Sequence, residues 1–466
     1  MNEGAAPPYF YVHERHVGAL ALDRPIVVGE RGTGKTMWWR ALQDAGIRKK
    51  LAVLFRHFED SVTVDIGFGV KGADAASLRR ELTFPDSEEL RNLLASGHEP
   101  AAIWRAVLFV MLIRRSSNPS FLDTTSWHTA IRGIAALAQD VRDLLGDQNG
   151  LLAQGKQRYL VLFDALDRMG SDQRSARELA GGLLQACLEW LPYSHLHVKV
   201  FIRRDMYDDL ALWQFPDASK LRSSHAELRW ERPDLYGMLW QYLGTHEESG
   251  RAFRAACAEI GAPWNPSEQG PQMGAELRAD EGLHKKLVRL VADEFMGAEK
   301  KRGVTHVWLP AHLADAAGRA TPRSWLAAWR RAAEVADERA APLAVDYRAL
   351  QEGVKMASAI RVDELTEDHP WAKVLGDALA GLSLPADEAE VLRRWGDSKL
   401  QGKLKKASNA LPPHFDGGPS GLLEDMARLK VLDPLANGRV QMPDVYRLAF
   451  GLGRRGGVKV QRPLGD

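Results

Sequence analysis

The segment GERGTGKT, residues 29–36, constrains the fold of this chain more tightly than any other part of it. It fits the pattern G-x-x-x-x-G-K-[ST], whose glycines let the backbone curl until its N–H groups point inward. The apolar residues Ile26, Val27 and Val28 precede it, and a helix-forming segment follows it. A strand, this loop and a helix in that order are the context that the pattern requires. The sequence therefore predicts a phosphate-binding loop at the start of an α/β domain.

Such a loop binds the phosphates of a nucleoside triphosphate through its backbone N–H groups and the N-terminus of the helix. We expect Lys35 to reach the β- and γ-phosphates and Thr36 to ligate Mg²⁺. The sequence has no Asn-Lys-x-Asp segment for guanine recognition, which favours ATP over GTP. We expect Trp38 and Trp39 to pack rather than to stack on a base. The predicted nucleotide-binding residues are Gly29, Arg31, Gly32, Thr33, Gly34, Lys35 and Thr36.

A second segment, RYLVLFDALDRMG, supplies carboxylates. Its residues 159–163 form a continuous apolar run, which is typical of a strand in a parallel sheet covered on both faces. Asp164 follows at the carboxyl end of this strand, where ligands bind in open α/β sheets. We expect Asp164 to serve Mg²⁺ through the water shell of the metal. Asp167 is expected either to orient or deprotonate the attacking water or to cap a helix.

The segment HLHVKVFIRRD predicts a third strand that ends in two arginines. An arginine at the tip of the strand beside the acid strand can touch a γ-phosphate and report its loss. Either Arg203 or Arg204 has this role, or both lie on the surface. Of the two, we favour Arg204.

These segments together resemble the additional-strand P-loop ATPases, in the neighbourhood of the KAP and STAND families. The resemblance rests on the loop, then VLFDALDR, then VFIRRD, then LRWERPDLYGMLWQYL, and it spans most of residues 20–335. It implies ATP hydrolysis with a D-x-x-D acid motif and an arginine after the next strand. The sequence lacks the membrane spans usual in KAP proteins and the repeat arrays usual in STAND proteins, so the resemblance implies a compact relative.

The resemblance also implies a helical lid with an arginine that closes on the nucleotide. The segment ATPRSWLAAW predicts the start of such a helix, with Thr321 as its cap and Pro322 in its first turn. Arg323 is then a candidate second sensor, or else a surface residue. Bacterial relatives of this kind often act in phage defence or regulation, which implies a switch that self-associates or binds a protein partner.

The order of segments predicts three regions along the chain. Residues 1–235 form the P-loop core, with a second strand at LAVLFRHF, residues 51–58, and an insertion at about 61–150. Residues 236–345 form the helical lid. Residues 346–466 form a helical linker and a winged-helix domain.

The winged helix is predicted from three short helices followed by Asn437-Gly438 between apolar runs, which is a strong hairpin signal. Basic residues make this end suitable for DNA phosphates. The alternative is that the domain faces the nucleotide or a protein partner. A DNA-directed ATPase is therefore the second hypothesis beside the switch. The basic residues are Lys399, Lys403, Lys405, Lys406, Arg439, Arg454, Arg455, Lys459 and Arg462.

Composition narrows the class of protein. The formal net charge is +1, so binding to nucleic acid needs a local patch. The first residues lack the basic and apolar regions of a signal peptide. The longest apolar run, residues 106–113, is shorter than the ~20 residues of a membrane span and predicts a buried helix. Cys187 and Cys257 are expected to be buried thiols. We therefore expect a cytoplasmic protein without membrane contact.

Overall fold

Five parallel strands form the central sheet of the first of two units, Met1–Arg229 and Trp230–Asp466, into which the computed structural model divides. Their order is β2-β3-β4-β1-β5, and every neighbouring pair is parallel. The strands are β1 Ile26–Gly29, β2 Val62–Phe68, β3 Arg158–Phe163, β4 Leu196–Arg203 and β5 His225–Leu228. The structure describes residues 11–54, 61–69, 84–115, 125–170, 172–266, 271–274, 276–336, 343–407, 411–454 and 458.

The sheet confirms the predicted α/β class with a mainly parallel P-loop core. Strand β4 lies between β1, which leads into the phosphate loop, and β3, which leads into the acid motif. This extra strand between the two agrees with the additional-strand part of the resemblance. The carboxyl ends of β1, β3 and β4 therefore meet at one edge of the sheet.

Both faces of the sheet are covered, as the continuous apolar runs predict. Along β3, Tyr159, Val161 and Phe163 pack into one core, and Leu160 and Leu162 pack into the other. The helices of this unit are α1 Val17–Leu20, α2 Lys35–Gln43, α3 Ala45–Leu54, α4 Ser87–Ala95, α5 Pro100–Ile113, α6 Trp127–Ala136, α7 Ala138–Gln154, α8 Gln173–Cys187, α9 Arg204–Asp208 and α10 Ala218–Ser223. Helices α5, α6 and α8 contribute to the first core, and helix α2 contributes Trp38 and Trp39 to the second.

The prediction of a second strand at residues 51–58 was wrong where the structure describes it. Residues 51–54 are the last turn of α3, and residues 55–58 lie outside the described part of the chain. Asp44 explains the start of this helix, because its carboxylate accepts a bond of 2.8 Å from the Ile47 backbone N–H. The side chain of Leu51 is buried and that of Val53 is exposed, so this apolar run has one buried face.

The strand that takes this place in the sheet is β2, which lies inside the range 61–150 predicted as an insertion. Residues 62–68 pair with β3 and belong to the sheet. Residues 100–113 form α5, whose apolar side chains are buried in the first core, as the run at 106–113 predicted. The start of the predicted insertion is therefore part of the core itself.

The second unit is mostly helical and includes residues 236–345, whose role as a lid stays a prediction. Its helices are α11 Arg232–Thr245, α12 Gly250–Glu259, α13 Glu276–Ala279, α14 Glu281–Val291, α15 Thr305–Leu313, α16 Pro322–Val335, α17 Tyr347–Asp368, α18 Pro370–Asp377, α19 Glu388–Trp395, α20 Ser398–Ala407, α21 Gly418–Arg428 and α22 Asp444–Arg447. Helix α16 begins as predicted, because Thr321 accepts a bond of 3.3 Å from the Ser324 N–H and Pro322 is in the first turn. Helices α16 and α17 pack together across the predicted border at 345/346.

Short strands complete the second unit. They are β6 Trp264–Asn265, β7 Gln272–Met273, β8 Ser383–Leu384, β9 Ala386–Asp387, β10 Asp433–Pro434, β11 Arg439–Gln441 and β12 Gly453–Arg454. Strands β10 and β11 form the predicted hairpin, with Gly438 at a φ of +73°, and β11 also pairs with β9. Three helices precede the hairpin, as expected, while the winged-helix assignment itself stays a prediction. Of the predicted basic residues, Arg455, Lys459 and Arg462 lie outside the described residues.

The apolar helices and the two cysteines bear on the expectations of a protein without membrane spans and with buried thiols. No helix within the described residues is long and apolar enough to cross a bilayer. Cys187 and Cys257 are free and buried, which confirms the prediction of buried thiols. Burial raises the pKa of both thiols.

Two glycines of the first unit test how tightly its core is packed. A Cβ atom on Gly182 of α8 would lie 2.5 Å from the Pro100 carbonyl carbon, where α5 begins. We expect Gly182→Ala to lower the free energy of unfolding by about 1–3 kcal/mol through overpacking. A Cβ on Gly146 of α7 would meet nothing within 4 Å. Gly146→Ala is the matched control, and we expect it to raise stability by about 0.5–1 kcal/mol. Thermal and urea unfolding followed by circular dichroism would measure both, and equal effects would contradict this packing.

Candidate nucleotide site

The phosphate loop, residues 29–36, joins β1 directly to the N-terminus of α2. Gly34 has a φ of +103°, a left-handed conformation that favours glycine, and Gly32 has a φ of +79°. A Cβ on Gly29 would collide with the Thr33 hydroxyl, which lies inside the loop. Thr33 is buried, and its hydroxyl donates to the Glu30 carbonyl at 2.8 Å. Arg31 is half-buried in the same loop.

Lys35 folds back over the loop. Its Nζ donates to the carbonyl oxygens of Gly29 and Glu30, both at 2.9 Å. Burial lowers the pKa of Lys35 to about 8, although the carboxylate of Asp164 opposes that shift. The ammonium group is thus held at the mouth of the loop by neutral carbonyls. An anionic ligand would favour its charged form more strongly than they do.

Asp164 meets Thr36 at this edge of the sheet, although 128 residues separate them in sequence. The Thr36 hydroxyl donates to Asp164 Oδ2 at 2.7 Å. Asp164 is 2% exposed, and burial raises the pKa of its carboxyl group, while the Thr36 hydrogen bond opposes that shift. Both are hard oxygen donors of the kind that Mg²⁺ prefers. The sequence prediction that these two residues share one site is consistent with this distance.

Thr36 and Asp164 are suited to a magnesium ion that is bound together with phosphate and water, and less suited to a metal ion bound by protein side chains alone. In the described part of the chain, no group of three or more His, Cys, Asp or Glu side chains could hold a metal ion. Magnesium is usually bound through one or two carboxylates together with substrate phosphates and water. Thr36 and Asp164, beside a loop suited to phosphate, supply this kind of donor set.

Asp167 lies in a short 3-10 turn, residues 166–168, just after Asp164. It caps no helix there, since the residue before the turn is Ala165 and Asp172 caps α8. Asp167 Oδ2 lies 3.5 Å from Arg203 Nη1, and its side chain is 38% exposed. The structure thus places Asp167 next to an arginine at the edge of the site rather than in a cap.

Of the two arginines at the end of β4, Arg203 is the one that contacts the acid motif, through Asp167, whereas the sequence analysis favoured Arg204. Arg203 pairs in register with Gly29 of β1, so it stands beside the start of the phosphate loop. Arg204 points elsewhere, with its Nη2 2.7 Å from Glu227 Oε1 of β5. The reason is the alternation of side chains along a strand. Phe201 of β4 packs on the face that α2 covers, and Arg203, two residues on, follows on that face.

Sequence reasoning missed two residues that shape the site. Asp205 binds the Arg203 guanidinium with two bonds of 3.0 Å. Ala165 has a φ of +57°, a left-handed conformation that costs a non-glycine residue roughly 1–2 kcal/mol. It lies directly after the buried Asp164, at the point where the chain turns into the 3-10 helix. An Arg-x-Asp pattern at a strand end is the signal that could have pointed to Asp205.

Arg323, the candidate second sensor, lies in the second unit at the start of α16. Its guanidinium pairs with Glu364 of α17. Glu364 is buried and also lies 3.5 Å from Arg361. The side chain of Arg323 itself is 53% exposed. Its role toward a nucleotide stays a prediction.

No protein-family model matches this chain, and no curated protein does. Solved structures do match along most of its length. The ORC2 protein of Aeropyrum pernix, solved as ADPNP–ADP complexes, is 14% identical with a TM-score of 0.37, and the match covers 93% of this chain and 87% of that one. Cdc6p of Pyrobaculum aerophilum is 10% identical with a TM-score of 0.26, over 91% of this chain and 84% of that one.

Proposed function

We propose that this protein is a Mg²⁺-dependent ATP-binding and ATP-hydrolysing switch whose nucleotide state controls self-association or partner binding. The proposal rests on one observation: Lys35, Thr36 and Asp164 lie together beside one glycine-rich loop. A structural turn would have no need of a buried carboxylate against a threonine hydroxyl beside a half-buried lysine. A triphosphate with its metal accounts for all three groups at once.

In this proposal the phosphates lie against the loop and the N-terminus of α2. Lys35 would contact the β- and γ-phosphates, and Thr36 and Asp164 are the residues that would hold Mg²⁺. When bound, the ion would neutralise charge that develops on the phosphate oxygens. Asp167 orients or deprotonates the attacking water, and Arg203 contacts the γ-phosphate. Arg323 remains a candidate for a second sensor of the bound nucleotide.

The low pKa of Lys35 gives the first test of nucleotide binding. Lys35 in the free protein loses its charge above a pKa of about 8, so binding there requires proton uptake. We expect the affinity for an ATP analogue to fall by up to about tenfold per pH unit above that value. Fluorescence titrations with a labelled analogue from pH 7 to pH 9.5 would measure this fall.

Two variants control this titration. Lys35→Ala should abolish binding at every pH. Lys35→Arg keeps a permanent charge, so whatever binding it retains should be independent of pH over this range. Binding retained by Lys35→Ala would move the nucleotide to another site, and a flat profile for the wild-type protein would mean that Lys35 keeps its charge over this range.

Asp167 gives the test of the switch. Asp167→Asn keeps the shape of the side chain but removes its capacity as a base, so we expect ATP to be bound and hydrolysed at least about 10²-fold more slowly. The variant should then accumulate in the ATP-bound form. Mass photometry with ATP, ADP or no nucleotide should show a larger species for this variant with ATP. Unchanged turnover would remove Asp167 from the chemistry, and an unchanged mass with ATP would contradict self-association.

A second candidate function, a DNA-directed ATPase, is favoured by the surface of α20. Lys399, Lys403 and Lys406 are exposed and lie about one turn apart on one side, while Leu400 and Leu404 are buried. On helix α21, which directly precedes the hairpin, Arg428 pairs with Glu424 at 2.6 Å and Asp425 is buried. If this region binds duplex DNA, we therefore expect the row of exposed lysines on α20 to contact its phosphates.

Salt dependence tests this alternative. Replacing Lys399, Lys403 and Lys406 together by Gln should weaken binding of a labelled duplex and reduce the slope of log K against log salt by up to about 2.7, or 0.9 for each contact. The matched control replaces three other exposed lysines, Lys285, Lys286 and Lys300, with the same change in net charge. Equal losses in the two triple variants would mean that the attraction is general, and no binding by the wild-type protein would exclude this function.

A further inference from the structure

Arg203 is held on two sides by carboxylates. Its Nε and Nη2 donate to the two oxygens of Asp205, each at 3.0 Å. Its Nη1 lies 3.5 Å from Asp167 Oδ2. The side chain of Arg203 is 15% exposed, whereas those of Asp167 and Asp205 are 38% and 44% exposed. The guanidinium is therefore more enclosed than either acid that contacts it.

The two hydrogen bonds to Asp205 fix the orientation of the Arg203 guanidinium. A guanidinium is a rigid planar fork, so holding its Nε–Nη2 edge in a two-point contact also aims the Nη1 side. That side points toward Asp167 in the acid motif. The backbone of Arg203 is fixed as well, because it is the last residue of β4 and stands in register with Gly29.

The charge of Asp205 also acts on the phosphate loop. Besides burial and Asp164, three charged side chains act on the pKa of Lys35. Arg203 lowers this pKa, and Asp205 and Asp167 raise it. If Asp205 were absent, Arg203 would still place a second positive charge near Lys35, and fewer carboxylates would compensate for that charge. The carboxylate thus keeps two cations close together at the mouth of one loop.

We infer that Asp205 is a positioning residue that holds Arg203 at the mouth of the phosphate loop, aimed at the γ-phosphate of ATP. This inference rests on the proposed function, since it needs a triphosphate in the loop. It assigns to Asp205 no contact with the nucleotide. Its effect passes through Arg203, and it bears on the distinction between ATP and ADP rather than on binding in general.

The test is the ratio of two affinities, because a merely structural defect would weaken both nucleotides together. Dissociation constants for ADP and for a slowly hydrolysed ATP analogue would be measured by fluorescence titration. We expect Asp205→Asn to reduce the preference for the analogue by about tenfold, since a charge-assisted contact to the γ-phosphate is weakened. Asp205→Glu keeps the carboxylate and should retain most of the preference.

Asp208 offers a matched control on the same short helix. It lies 3.6 Å from Arg204, the neighbouring arginine that points away from the acid motif. Asp208→Asn makes the same chemical change and should leave the ratio of affinities unaltered. In the Arg203→Ala background, Asp205→Asn should have no further effect, because the residue through which it acts is gone.

The outcomes separate the inference from the proposed function. A wild-type protein that binds neither nucleotide would overturn the proposed function and the inference together. Normal binding with the same ratio in the wild-type protein and Asp205→Asn would overturn the inference alone. So would a loss in Asp205→Asn that persists undiminished in the Arg203→Ala background, since Asp205 would then act by another route.

Discussion

The hydrogen bond from Thr36 to Asp164 joins the two segments on which the candidate site depends. It can form only because the order of strands brings the ends of β1 and β3 to one edge of the sheet. These strands are not neighbours, and the strand between them contributes Arg203 to the same edge. The loop, the acid and the arginine thus have fixed relative positions that follow from the hydrogen-bond register of the sheet. Positions held by such a scaffold are more precise than positions on loops alone.

Burial has opposite effects on the two charged groups at the centre of this site. It lowers the pKa of Lys35 and raises the pKa of Asp164, and each group partly offsets the shift of the other. Each group therefore converts to its neutral form more readily than it would in water. A ligand that brings both negative phosphates and a divalent cation would favour the charged form of each. That complementarity is the physical reason for preferring a metal–triphosphate complex over a simple anion.

The sequence predicted those parts of the site that depend on local pattern. The phosphate loop, the acid strand and the cap of α16 each need only a few adjacent residues, and each is found at its expected position. Residues 51–54 were mistaken for part of a strand, because a short apolar run does not distinguish a strand from one face of a helix. The choice of Arg204 over Arg203 neglected the two-residue alternation that continues from Phe201 to the end of β4. Asp205 was missed, because the Arg-x-Asp spacing becomes a contact only through the turn that the chain makes after the strand.

The second unit contains, beside its hydrophobic core, a set of buried charges. Arg361 donates to the Tyr446 hydroxyl at 3.2 Å and lies near Glu364, which also pairs with Arg323. Arg447 is fully buried and donates to Asp444 and to the carbonyls of Leu452 and Val458. Removing charges of this kind from water is costly, so their presence is weak evidence of net stability, and we expect that breaking one pair by removing a single partner would destabilise this unit. Arg323 belongs to such a set through Glu364, and a phosphate that attracted Arg323 would have to compete with that buried carboxylate. Any role of Arg323 toward a nucleotide is therefore coupled to the packing of α16 on α17.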